Sequence, residues 1–282
     1  MGTGRRWTLG GGTHTGSGQT AQGVNARPAI PLRTNAWQAI LLRATKKHLK
    51  KLKEEGHIIT IATGRILNRA LVGIDGAEFA NYIVCDAGAA VFKNEGKDKE
   101  WKEVYANPLT KDIVQSIASY YDKNKFITIN ICDKNKIHHY DKTIGIAEFL
   151  ENISEIIHVS VSFINNEFVN EYFKLFTEKF PMLKVEIMQD SFRDDKWLEI
   201  AKKGTEKYKG ITEIARLEDI SNENIIAFGD GLNDVEMLKK CGIGVAMKNA
   251  LPEVKEQADY ITSRTNNENG VIEFLKEYLV EI

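Results

Sequence analysis

The sequence predicts an α/β fold: a Rossmann-like, doubly wound parallel sheet with an inserted α+β domain. Two observations predict it. From Ala44 onward, short runs of β-branched residues alternate with amphipathic helical patterns, which is typical of a parallel sheet with helices on both faces. Between residues 88 and 190 the strand patterns become longer and a hairpin pattern appears, which indicates a separate domain inserted into the α/β core.

Composition and pattern together predict the domain boundaries. Residues 1–30 are rich in glycine, and the first acidic residue of the whole chain is Glu54, so we expect a disordered or artefactual tail there. Residues 31–87 and 191–282 are predicted to form the α/β core. Residues 88–190 are predicted to form the inserted α+β domain.

The core elements follow one another along the chain. The segment from Ala44 to Gly56 is a basic amphipathic helix that ends at a glycine. Short apolar, β-branched runs predict strands at "HIITIA", "YIVC", "KWLEIAK", "NIIAF", "GIGVAM" and "DYIT". Helical spacing of apolar residues predicts helices at "EKYKGITEIARLE", "NDVEMLKKC", "ALPEVKEQA" and "GVIEFLKEYL".

The inserted segment has its own elements. A turn at residues 133–136 separates the strand patterns "KFITINIC" and "IHHYD", which indicates a β-hairpin. Two further strands are predicted at "HVSVSFI" and "LKVEIMQD", with the amphipathic helix "NEFVNEYFKLFTEKF" between them.

Bulk composition excludes several classes of function. The net charge of −1 gives no electrostatic basis for binding nucleic acid or an anionic membrane. The three cysteines are scattered and odd in number, which favours a reducing compartment. The sequence shows neither an apolar run near the ~20 residues of a membrane span nor an apolar signal core. We therefore expect a cytoplasmic protein that binds neither nucleic acid nor membrane. No pattern predicts an oligomeric state.

Polar side chains follow several of the predicted core strands. Thr63 comes directly after one strand, Asp230 and Asp234 follow another, and Lys207 lies just after a third. In open α/β sheets, ligands bind at the carboxyl ends of the strands. A hydroxyl, turn amides, a lysine and a carboxylate pair together suit a phosphate group and Mg²⁺, since Mg²⁺ prefers a few carboxylates, phosphate oxygens and water.

Each of these residues also has a purely structural interpretation. Thr63 alone would serve as the cap of the next helix. Asp230 and Asp234 would serve as a turn residue and an N-cap. Lys207 would be one more solvated lysine, with Lys209 close enough to compete for the same role. Their appearance together, in order and at matching strand ends, favours the functional interpretation.

The chain from residue 44 to 282 resembles the haloacid dehalogenase superfamily, specifically Cof-type phosphatases with a large inserted cap. Four segments carry the resemblance: "ITIATGR", "GTEKYKGI", "FGDGLNDVEMLKKCGIGVAMKNALPEVKEQADYIT" and "NNENGVIEFLKEYL". They are similar to the second motif, the third motif, the fourth motif with its downstream signature, and the entry to the C-terminal helix. The resemblance implies Mg²⁺-dependent hydrolysis of a small phosphomonoester, such as a sugar phosphate.

The resemblance also implies roles for individual residues in binding the substrate. It implies that Thr63 and Lys207 are catalytic residues. Thr63, with the turn residues Gly64 and Arg65, would bind the phosphate, and Lys207 and Asn233 would hold the phosphoryl environment.

For the metal, the resemblance implies that Asp230 is a direct Mg²⁺ ligand. Asp234 would support the water shell of the same ion.

The chain departs from the family where the nucleophile should lie. The first motif, Asp-x-Asp-Gly-Thr, supplies the attacking carboxylate and the general acid/base, and it should lie on a strand before the first helix. Here that region is "ARPAIPLRTNAWQAILLRA", which contains no acid. Pro28 and Pro31 also disfavour a central strand. The family's Asn-Gly-Ala is altered to Ala87-Gly88-Ala89.

Two interpretations of this departure stay open. In the first interpretation, residues 1–43 come from a mistaken or frame-shifted gene start that is joined to a genuine phosphatase. Their glycine- and arginine-rich, acid-free composition favours this interpretation. Alternatively, the chain is a non-catalytic pseudo-enzyme that keeps phosphate or metal binding. Both predict that Thr63, Lys207, Asp230 and Asp234 are retained.

Overall fold

The computed structural model describes residues 43–74, 77–96, 100–189 and 194–280. The predicted tail at residues 1–30 and most of the region expected to hold the first motif, up to residue 42, lie outside the described residues. The helices are α1 (Arg43–Glu54), α2 (Leu67–Gly73), α3 (Lys111–Ala118), α4 (Ile146–Phe149), α5 (Asn166–Lys179), α6 (Lys207–Leu217), α7 (Val235–Lys240), α8 (Pro252–Lys255) and α9 (Gly270–Val280). The strands are β1 (Thr60–Ala62), β2 (Tyr82–Cys85), β3 (Ala90–Lys93), β4 (Lys102–Ala106), β5 (Phe126–Cys132), β6 (Ile137–Tyr140), β7 (His158–Phe163), β8 (Leu183–Gln189), β9 (Lys196–Lys202), β10 (Ile226–Gly229), β11 (Ile243–Ala246) and β12 (Tyr260–Ile261).

Two sheets carry the α/β pattern. In the first, of order β1-β2-β3-β4, strands β1 and β2 are parallel and β3 and β4 are antiparallel additions. The second contains the three parallel strands β10, β11 and β12. The prediction placed residues 88–106 in the inserted domain, and this is wrong for β3 and β4. The chain reverses after Cys85, and Cys85 pairs with Ala90, so both strands extend the first sheet.

The third sheet is antiparallel and has the order β6-β5-β7-β9-β8. Its strands pack against α5 and α3 around a continuous apolar cluster that includes Ile129, Val161 and Phe176. Strand β9 was predicted to begin the second part of the core, but it pairs with β7 and β8. The reason is its apolar face: Leu198 and Ile200 are fully buried and complete the cluster of this sheet.

Helix α6 lies directly against the first sheet. A Cβ on Gly210 would come within 2.5 Å of a methyl carbon of Val84 in β2, so the glycine permits this close approach. Further along the helix, Ile214 packs with Tyr82, Val84 and Val91. The packing fixes where the first residue of α6 lies relative to the end of β2.

Each sheet is associated with one of the three cysteines. Cys85 ends β2, Cys132 ends β5, and Cys241 follows α7 in the apolar cluster around β11. All three are free thiols and buried. Burial raises the pKa of Cys85, with a further contribution from Asp86, and raises the pKa of Cys241 to about 11.

Among the helices in the described ranges, none combines the length and the apolar character that crossing a membrane requires.

Candidate active site

A buried polar contact in the α/β part joins Lys207 to Asp234. Lys207 is the first residue of α6 and Asp234 follows β10. The Lys207 ammonium lies 2.6 Å from Asp234 Oδ1 and 3.5 Å from Asn233 Oδ1. The neighbouring Lys209 instead pairs with Glu213, one turn along α6, at 2.7 Å. The structure therefore brings Lys207, and not Lys209, to the acidic turn.

The turn after β10 wraps around the Asp234 carboxylate. Its Oδ2 accepts hydrogen bonds from the backbone N–H of Asp230 at 3.1 Å and of Gly231 at 3.0 Å. Gly229 permits the fold of this turn, because a Cβ at that position would lie 2.4 Å from the Asp234 Cβ. With both oxygens engaged, Asp234 serves to orient Lys207 and the turn.

The surroundings of Asp230 disfavour the charged form of its carboxylate. Burial raises the pKa of Asp230, and the charge of Asp234 raises it further, while Lys207 and a hydrogen bond from the Asn249 side chain act in the opposite direction. A bound cation would relieve this cost. No group of three or more His, Cys, Asp or Glu in the described ranges is arranged to hold a metal, but Mg²⁺ commonly takes one or two carboxylates, with water and phosphate completing its shell. Asp230 fits that requirement.

The turn after β1 is held by the β1–β2 pairing. Thr63 donates its N–H to Val84 O at 2.8 Å, and its Oγ1 accepts the N–H of Arg65 at 3.2 Å. The hydroxyl thus closes its own turn and does not cap α2, because the N-cap of α2 is Ile66 and no side chain caps that helix. A Cβ on Gly64 would meet nothing within 4 Å, so the backbone there is open, whereas the Arg65 guanidinium folds back against Gly73 at the end of α2.

A short 3₁₀ turn, Asp86–Gly88, lies between the turn at Thr63 and the start of α6. Its Ala87 donates to Thr63 O at 3.0 Å. Its Gly88 lies against the start of α6, since a Cβ there would be 1.9 Å from Glu206 O and 2.9 Å from Lys207 N. Thr63 and Lys207 are thus neighbours joined through this turn, and Lys207 in turn contacts Asp234.

Sequence reasoning missed two residues at this site. Asn249 follows β11, and its side chain acts to lower the pKa of Asp230; its place just after a strand end, in "VAMKNA", was an available signal. Asn107 follows β4 and donates to Thr205 Oγ1 at 3.3 Å, next to the start of α6. Its contact joins segments 98 residues apart in sequence, so no local pattern could reveal it.

Comparison with known proteins gives a consistent result. A family model for haloacid dehalogenase-like hydrolases matches residues 36–275. The 5-amino-6-(5-phospho-D-ribitylamino)uracil phosphatase YitU of Bacillus subtilis (strain 168) is 29% identical over 247 residues, covering 82% of this chain and 88% of that protein. BT1666 of Bacteroides thetaiotaomicron, a phosphatase of the haloalkanoate (HAD) enzyme superfamily, superposes with a TM-score of 0.67 at 24% identity, covering 85% of this chain and 88% of that one. The HAD subclass IIB sugar phosphatase BT4131 gives a TM-score of 0.63 at 24% identity, covering 84% and 92%. The structural likenesses confirm the predicted fold class.

Proposed function

Because this chain belongs to the haloacid dehalogenase-like hydrolases, we propose that it is a Mg²⁺-dependent phosphatase scaffold for small phosphomonoesters such as sugar phosphates. The observation that supports it most is the buried Lys207–Asp234 pair, which holds an ammonium beside the partly buried carboxylate of Asp230. A fixed ammonium group next to a carboxylate that favours a bound metal ion is better suited to binding a phosphoryl group than to binding a neutral ligand. We further propose a cytoplasmic location and a small phosphorylated metabolite as the partner.

The geometry supports the following proposed roles. Lys207, oriented by Asp234, would neutralise the phosphoryl oxygens. The backbone of Gly64 and the hydroxyl of Thr63 would bind further oxygens at the end of β1. Asn233, 3.5 Å from the ammonium, would complete this environment.

Asp230 would hold Mg²⁺ directly, with Asp234 behind it. When bound, the ion supplies positive charge to the phosphoryl group. Arg65 was predicted to bind substrate, but its guanidinium packs on α2, so its proposed contribution is limited to its backbone.

A second candidate function has a specific observation in its favour. No Asp or Glu precedes Glu54, so the sequence contains no carboxylate where the family carries its nucleophile. Without an attacking group, the same site would bind a phosphorylated ligand and not turn it over. The chain would then act as a non-catalytic phosphate-binding or interaction protein.

Hydrolysis of p-nitrophenyl phosphate with Mg²⁺ tests the proposal. We expect the unmodified chain to hydrolyse the ester no faster than a buffer blank that contains Mg²⁺. A chimera in which a strand bearing Asp-x-Asp-Gly-Thr replaces residues 1–43 should hydrolyse the ester. Lys207→Ala and Asp230→Ala in the chimera should abolish activity, and the matched control Lys209→Ala should retain it.

The remaining outcomes decide between the candidates. Turnover by the unmodified chain that Asp230→Ala stops would mean that another group is the nucleophile. A folded chimera that stays inert against a broad phosphomonoester panel would favour the non-catalytic function.

A further inference from the structure

A buried group of charges joins the five-stranded sheet to the turn beside the candidate active site. His158, the first residue of β7, places Nδ1 3.1 Å from Asp86 Oδ1 and Nε2 3.5 Å from Glu199 Oε1 in β9. The side chains of Asp86 and His158 are 1% and 12% exposed. Cys132 lies directly opposite His158 on β5. None of these residues has a role in the proposed phosphatase site.

The Asp86 carboxylate depends on this histidine for its charge balance. Neither of its oxygens has a hydrogen bond of good geometry among the described residues, so its contact with His158 is electrostatic. A buried carboxylate without a partner is costly. Two carboxylates, Asp86 and Glu199, therefore share one imidazole. A charged imidazole attracts both carboxylates, whereas a neutral imidazole has a single N–H to donate to one of them.

The surroundings favour that charge. Burial alone would lower the pKa of His158, but Cys132, Asp86 and Glu199 outweigh burial and raise it well above its usual value. Burial raises the pKa of Glu199, and His158 opposes that effect. Two charged side chains of β8, Glu186 and Lys184, also act on Glu199.

Asp86 also belongs to the turn that holds both phosphate-binding segments. Its backbone N–H donates to Arg65 O at 3.1 Å, and the next residue, Ala87, donates to Thr63 O. Asp86 and Ala87 have φ angles of +48° and +52°, a left-handed conformation that non-glycine residues adopt only when the surroundings enforce it. Gly88 then lies against Glu206 and Lys207.

We propose that His158, in its charged form, is a positioning residue that holds Asp86 and, through the Asp86–Gly88 turn, sets the positions of Thr63 and Lys207. The five-stranded sheet thereby controls the geometry of a site to which it contributes no phosphate-binding group. What Thr63 and Lys207 bind rests on the proposed function; the mechanical link does not.

Hydrogen exchange on the full chain tests the link without any ligand. His158→Gln removes the cation and leaves two carboxylates. We expect amide protection in residues 60–66 and 82–89 to fall by about tenfold or more. The β10–β12 sheet should keep its protection and serves as the internal reference. The matched control is His138→Gln, because His138 pairs with Asp133 at 2.7 Å inside a single hairpin. It should change neither segment.

A charge-compensating variant separates charge from shape. The triple variant Asp86→Asn, His158→Gln, Glu199→Gln keeps the side-chain sizes and removes all charges. It should restore most of the lost protection. In the unmodified chain, protection corrected for intrinsic rates should fall as pH rises through the titration of His158, and in His158→Gln it should not. Unchanged exchange in His158→Gln, or a triple variant as open as the single one, would overturn the proposal.

Calorimetric titration with inorganic phosphate distinguishes this proposal from the proposed function. His158→Gln should weaken phosphate binding at least about threefold, while His138→Gln leaves it unchanged. If the unmodified chain binds no phosphate but its exchange responds as expected, the phosphate site is wrong and the positioning role stands. If phosphate binds equally to His158→Gln and the unmodified chain, the positioning role is wrong and the phosphate site stands.

Discussion

The ammonium of Lys207 and the carboxylate of Asp234 form an ion pair at 2.6 Å, with side chains only 8% and 7% exposed. The pair links the start of α6, a helix that packs on the first sheet, to the turn after β10 in the three-stranded sheet. Removing one partner of a buried pair leaves the other charge without compensation, and this cost exceeds the net stability that the pair itself provides.

Lys207→Met should therefore destabilise the protein strongly. We expect the free energy of unfolding to fall by about 3–5 kcal/mol, because Asp234 remains buried and charged. Lys209→Met removes a surface pair with Glu213 and should cost about 1 kcal/mol or less. Urea denaturation of both variants measures the difference. Equal losses would mean that the Lys207–Asp234 pair is not buried in solution.

Asp230→Asn should abolish stabilisation by Mg²⁺. A ligand present at ten times its dissociation constant adds about 1.4 kcal/mol to the stability of the state that binds it, which corresponds to a rise in melting temperature of roughly 3–6 °C for a chain of this size. Asp219→Asn is the matched control, since Asp219 is an exposed carboxylate in the turn after α6. A thermal shift with Mg²⁺ that survives in Asp230→Asn would remove Asp230 from the metal site.

Stability should fall as the pH rises from 6 to 8, in part because of His158. The pKa of His158 is raised in the folded state above the unfolded value of about 6.5. The folded state then binds more protons than the unfolded state in that window. This contribution is complete below the unfolded pKa and is lost as pH rises through the folded one. Urea midpoints measured across this range should be flatter for His158→Gln than for the unmodified chain. Parallel profiles would contradict the assignment.

Gly88→Ala should be far more damaging than Gly96→Ala. Both glycines have similar positive φ angles, +108° and +111°, but only Gly88 faces a backbone atom, at 1.9 Å from its added Cβ. Gly96→Ala carries the conformational cost alone, about 1 kcal/mol. Gly88→Ala adds a steric clash with Glu206, so we expect an additional loss of at least about 1–3 kcal/mol. Thermal or urea unfolding compares the two, and similar losses would exclude the close approach.

Local pattern was enough to predict most elements, the strand ends that carry Thr63 and Asp230, and the helix that begins near Lys207. Local pattern did not predict which sheet β9 joins, because the apolar residues Leu198 and Ile200 suit a parallel or an antiparallel strand equally well. The partners of a strand are set by distant segments. For the same reason, the contact between Asp86 and His158 joins residues that no periodicity relates. The roles of the predicted site residues stay predictions.

The three buried cysteine thiols can serve as built-in probes of local opening. A thiol reagent reacts only when a cysteine becomes accessible and ionised, so the labelling rate of each cysteine measures how often its surroundings open. Cys85, Cys132 and Cys241 are each associated with a different sheet. Mass spectrometry of the labelled peptides would therefore time the opening of the three sheets separately, without an introduced probe. If the sheets open as one cooperative unit, the three rates, corrected for intrinsic reactivity, should coincide, and if Cys132 reacts first, the five-stranded sheet opens before the other two.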